Sequence, residues 1–143
     1  MNRSHRKHRR SRSGLATVEM AVCLPLLLTL TLATIDVCSA IFLRETLTIA
    51  AYEGARVGAL RGATNSDVTT RVRDLLNQRG VQYNAGTVVT ISAPGFNDAN
   101  TLQHVTITVK APAAGNLIAP RQLFAGRTLQ SKVVVRKQFK NVN

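Results

Sequence analysis

The longest apolar stretch sets the plan of the chain. From Met20 to Leu43 a single charged residue, Asp36, interrupts 24 positions. As a helix this stretch reaches about 36 Å, and a bilayer-spanning helix needs about 20 predominantly apolar residues. The span predicted on this basis is 15–43, with Pro25 inside it as a local kink. The helix is expected to continue beyond the membrane over 44–63, which holds no Pro. There Glu53 and Arg56, three apart, share a face and can pair. Ala50, Gly54, Gly58 and Gly62 recur every four residues as a small-residue stripe, which lets another backbone approach closely. Glycine in a helix interior costs about 1 kcal/mol relative to Ala, so packing must offset it. The chain's own outer domain is the expected packing partner, ahead of helices from other subunits.

After residue 63 the pattern becomes that of a small α+β domain, 64–143. Val68, Val72, Leu75 and Leu76 fall on one face of a helix predicted over Ser66–Arg79, with Asn65 as its cap and Gly80 as its stop. The period then shortens to two. Thr87–Ser92, His104–Lys110 and Lys132–Phe139 read as strands, with Val105, Ile107 and Val109 pointing one way and His104, Thr106, Thr108 and Lys110 the other. Turn residues mark 93–98, and a longer loop is expected from Pro112 to Pro120. Short connections favour an antiparallel sheet. A domain of roughly 80 residues is marginal by itself, and docking on the extended helix would complete its core.

Charge refines this plan. The net charge is +12, from 19 Lys+Arg against 7 Asp+Glu. Residues 1–13 carry six of those cations and no acid, directly before the apolar span. That bias predicts a cytoplasmic basic leader, 1–14, and an extracytoplasmic C-terminal domain. Beyond residue 43, 13 Lys+Arg stand against 5 Asp+Glu, and Lys132, Arg136, Lys137 and Lys140 crowd the C-terminus. They form a candidate patch for an acidic partner. Aromatic residues for base stacking are scarce, so nucleic acid is not the expected ligand.

Catalytic chemistry has little to work with. Two of the three His lie in the basic leader, and His104 stands alone on a polar strand face. No Cys/His spacing suits a metal, and no phosphate-cradling or nucleophile-elbow motif occurs. Cys23 and Cys38 lie 15 residues apart in one helix and cannot bond to each other there. The chain is read as a non-enzyme without a cofactor.

The junction of leader and span is more informative. Ser13-Gly14-Leu15-Ala16-Thr17-Val18-Glu19-Met20 ends the basic arm at a Gly and places a lone Glu fifth in the apolar run. This resembles the type IV prepilin signal, which implies cleavage between Gly14 and Leu15 with the helix kept on the mature protein. An ionisable group in an apolar span is costly and calls for a partner. A new amine on Leu15 would lie four residues from Glu19, on the same helix face. Two other readings stand beside it: an uncleaved anchor, and a secretory signal cut weakly marked by Cys38-Ser39-Ala40.

The resemblance extends further. The run Leu15-Ala16-Thr17-Val18-Glu19-Met20-Ala21, Pro25 inside the span, Asp36 near its end, and Ala50-Ala51-Tyr52-Glu53-Gly54-Ala55-Arg56 together resemble the TadE-like family. These are minor pilins or pseudopilins of tight-adherence (Flp) pilus systems. The resemblance implies a single-pass membrane protein of pilus assembly, with other pilins, assembly proteins and a prepilin peptidase as partners. It also implies a pilin-like plan, a long N-terminal helix carrying a small sheet. The competing function is an uncleaved anchored module whose basic outer domain captures an acidic ligand or surface.

Overall fold

A computed structural model describes residues 13–118 and 126–141. The basic leader up to residue 12 and the end of the Pro112–Pro120 loop lie outside the described residues. The element order is α1 (Ser13–Gly58), α2 (Asn65–Gln78), β1 (Val89–Ile91), a one-turn α3 (Gly95–Asp98), β2 (His104–Pro112) and β3 (Thr128–Arg136). The expected α+β class holds, and the sheet is antiparallel in the order β1-β2-β3. The chain divides into two units, one ending at Thr34 and the other beginning at Ile35.

The first unit is helical from Ser13 onward, and α1 continues through Pro25. It has the length and hydropathy of a membrane span, and its Leu, Val and Met side chains are exposed. Its hydroxyls suit that setting. Thr29, Thr31 and Thr34 donate to the carbonyls of Pro25, Leu28 and Leu30 at 2.8–2.9 Å. A hydroxyl bonded back to its own helix leaves no unpaired polar group facing hydrocarbon.

The second unit holds the core. Leu43, Leu47, Ala50, Ala51 and Ala55 of α1 meet Val68, Val72, Leu75 and Leu76 of α2, Phe96 of α3, and Val105, Ile107, Val109 and Ala111 of β2. The predicted apolar faces of α2 and β2 are thus the buried ones. The outward phase of β2 places His104 in solvent, as expected.

Several boundaries differ from expectation: α1 ends at Gly58 rather than running through 63, β1 covers Val89–Ile91 rather than Thr87–Ser92, and β2 continues past Lys110 to Pro112. The cap of α2 is Thr64, one residue before Asn65, and it forms a capping box. The Thr64 hydroxyl accepts from the Asp67 N–H at 3.3 Å, and the Asp67 carboxylate accepts from the Thr64 N–H at 2.9 Å. Asn65 is used elsewhere: its Oδ1 accepts from the Phe96 N–H at 2.7 Å, and its own N–H donates to Asn97 Oδ1 at 2.8 Å. These bonds fasten α3 to the start of α2. Gly95 permits it, with φ +74° and a position where a Cβ would lie 2.7 Å from Asn65 Nδ2. The third strand also starts earlier than predicted and stops at Arg136, because Leu129 and Ser131 extend the inward phase of Val133 and Val135.

The capping box gives a direct test. Thr64→Ala is expected to destabilise the fold by about 1 kcal/mol, the usual value of such a cap. The hydrogen bonds from the Thr64 N–H and hydroxyl hold the Asp67 carboxyl below the usual aspartate range. Its lowered folded value means that its stabilisation is full above the unfolded aspartate pKa of about 3.9 and disappears as pH falls through the folded value. Urea unfolding of wild type and Asp67→Asn at several pH values should therefore give curves that differ near neutrality and converge in acid.

Candidate functional site

The residues singled out by sequence fall into three places. The first is the start of α1. Gly14 lies in α1, with no described atom within 4 Å of where its Cβ would be, and Leu15 and Glu19 are exposed on the helix. Four residues of α-helix bring Leu15 and Glu19 onto one face. Cys23 and Cys38 are free thiols on the same helix.

The second place is the small-residue stripe. Ala50, Gly54 and Gly58 are buried in the second unit. A Cβ at Gly54 would come 2.6 Å from Val72 Cγ2, and one at Gly58 2.5 Å from the Phe96 ring. The glycines therefore let α2 and Phe96 approach the α1 backbone, the packing role expected within the chain's own domain. Gly62 is not part of this stripe. The helix ends at Gly58, and Gly62 sits exposed in the following turn at φ +77°, a conformation that glycine adopts without steric cost. Beside the stripe, Glu53 pairs with Arg56 at 3.2 Å, as expected, and also with Arg71 of α2 at 3.4 Å.

The third place is the C-terminal cationic patch. Lys132, Arg136 and Lys140 are exposed. Lys137 departs from the expected surface set, because it is fully buried. Its Nζ donates to the carbonyls of Gly58, Leu60 and Ala63 at 3.1–3.4 Å, and lies 5.7 Å from the centre of the Phe96 ring. The last carbonyls of a helix lack intrahelical donors, and a cation there also meets the negative end of the helix dipole. Burial pushes the Lys137 amine below the ordinary lysine range. Asn141 adds to the same clasp, donating to Ala63 O at 3.0 Å and accepting from the Gly62 N–H at 3.1 Å.

Phe96 and Asn141 carry this junction without having been singled out in the sequence. Phe96 lies in a segment that reads as a turn, and Asn141 follows the last strand. For Lys137 a signal existed: it continues the odd-numbered, inward phase of Val133 and Val135.

Among the described residues no group of His, Cys, Asp and Glu is arranged to hold a metal ion. What the geometry offers is a long apolar helix with one acid near its start, and a basic sheet packed beside the helix's other end in the second unit.

Residues 14–56 match the family model described as TadE-like protein. The resemblance drawn from Gly14, Glu19, Pro25 and the Glu53–Arg56 segment is therefore shown over that stretch. No curated protein and no solved structure gives a significant match to the chain.

Proposed function

We propose that this chain is a non-enzymatic, membrane-anchored minor pilin or pseudopilin that takes part in assembling a tight-adherence pilus. The observation that carries the proposal is the coincidence of the TadE-like match over 14–56 with one helix, Ser13–Gly58, long and apolar enough to cross a membrane. In this reading the basic leader stays in the cytoplasm and the α+β domain faces outward. A prepilin peptidase cuts between Gly14 and Leu15. The new Leu15 amine pairs with Glu19, in the same subunit or in a neighbour, and so removes an uncompensated charge from apolar surroundings. Other pilins and assembly proteins are the partners, and the bacterial inner membrane is the site of action.

Intact mass of the membrane-extracted protein tests this directly. Co-expression with an active prepilin peptidase should remove residues 1–14, and an inactive peptidase should leave the chain whole. Full-length protein in both samples would refute processing and favour a permanent anchor. A new N-terminus near Ile41 would replace both readings with secretion.

A further inference from the structure

We propose that the free edge of β3 is a docking strand that takes an extended, acidic segment of a partner polypeptide by strand addition. The inference rests on the outer sheet and is independent of whether the leader is cut.

The sheet order leaves β3 outermost. Two flanking bonds fix the phase of its ladder. Ala113 N–H donates to Arg127 O at 2.9 Å, and Lys137 N–H donates to Gln103 O at 2.9 Å. In an antiparallel pair, bonded and non-bonded positions alternate. The odd-numbered residues of β3 therefore bond to β2, while the N–H and C=O of Thr128, Gln130, Lys132, Val134 and Arg136 point away from it. Among the described residues, no hydrogen bond outside the ladder ends on these backbone groups.

An edge is normally blunted by shortness, a bulge, a Pro or charged side chains, and of these β3 carries only the last, Lys132 and Arg136, which repel a like-charged strand but not an acidic one. In β3 the register with β2 runs unbroken over Thr128–Arg136, and no Pro interrupts it. Val134 is 57% exposed on this edge. Side chains of the same phase line the outer face, where Lys132 lies opposite Thr108 and Arg136 opposite His104. Lys110, across from Gln130, adds a third cation to that face.

Charge selects the occupant. From Ala99 to Asn143 the chain has no Asp or Glu, yet it holds Lys110, Arg121, Arg127, Lys132, Arg136, Lys137 and Lys140. A second copy pairing through β3 would set Lys132 and Arg136 near their own kind, and facing like charges destabilise a strand pair. A strand with acids at alternate positions satisfies both the backbone edge and the cations.

The test uses the full chain in detergent micelles and a nine-residue peptide of alternating Glu and Thr. Amide exchange read by NMR should show Gln130, Lys132, Val134 and Arg136 exchanging fast in the free chain and slowly with the peptide. The odd-numbered amides should be protected in both states. The same peptide N-methylated at alternate amides should bind about tenfold more weakly, since it forfeits edge hydrogen bonds. A Lys-for-Glu counterpart should not bind. Val134→Pro removes one outward N–H without touching the β2 ladder, and should weaken binding by about tenfold or less. The N-methylated peptide asks the same question without altering the protein. Equal binding of the methylated peptide would overturn the proposal in favour of plain charge attraction. Even-numbered amides already protected in the free chain would overturn it by showing the edge occupied by the chain itself or by a second copy. An absence of binding by the Glu-Thr peptide would also overturn it.

Discussion

Phe96→Ala is expected to destabilise the second unit by about 3–5 kcal/mol, as large-to-small changes at buried aromatic positions do. Total stabilities are only about 5–15 kcal/mol, so this one change takes a large share. Phe96 is fully buried against Gly58, and its ring faces the Lys137 ammonium. Truncation opens a cavity, removes the cation–π contact and leaves the junction of α1, α3 and the chain beyond β3 loosely filled. The urea midpoint of the full chain in detergent, followed by far-UV circular dichroism, reads the loss. Gly58→Ala supplies the internal control. In the wild-type background the new methyl collides with the ring and destabilises, despite the better helix propensity of Ala. In the Phe96→Ala background the same methyl enters vacated space and should stabilise. A change of sign across this double-mutant cycle would establish the contact as the reason for the glycine. Equal effects in both backgrounds would assign the glycine to something other than Phe96.

Under the proposed pilin role, Glu19→Ala is expected to have the second large effect, on assembly. Breaking a charge pair in apolar surroundings costs about 3–5 kcal/mol, equivalent to a loss of about 100-fold or more in an association step. The variant should still enter the membrane, because it makes the helix more apolar. Its incorporation into, or support of, pilus assembly should fall to background, measured against membrane-retained protein in the same cells. Intact mass of the variant separates a processing defect from an assembly defect. Glu19→Gln, which keeps the size and removes the charge, should behave like the Ala variant. Wild-type assembly in either variant would remove the pairing role of Glu19.

The two residues behind these effects were not equally visible. Glu19 stands out from the sequence alone, because an acid five residues into a long apolar run is a chemical anomaly that needs no fold to notice. Phe96 was hidden, since its surroundings of Pro, Gly, Asn and Asp spell a turn, and only tertiary packing turns that segment into part of the core. The faces of α2 and β2 were readable from their periods, because burial alone selects those positions. The cap of α2 was misplaced by one residue. Thr64, Asn65 and Ser66 are all competent caps, and the choice was made by a remote demand, the bonding of Asn65 to α3. Gly62 was drawn into the stripe by a spacing of four that outlasts the helix itself. Lys137 shows the opposite failure. Its inward phase was present in the alternation, but its charge argued for solvent, and the three carbonyls that accept its hydrogen bonds, one at the end of α1 and two in the turn after it, come from 74–79 residues earlier in the chain.

That separation has a consequence for the order of events during synthesis. The end of α1 and the turn after it obtain these hydrogen-bond donors only after residue 137 has been synthesised and has left the ribosome. Until then the second unit holds an unfinished seam, and the segment from Ala99 onward is the part that closes it. A chaperone that holds the growing chain, or a partner strand waiting at the membrane, therefore has a defined interval in which to act before the latch shuts.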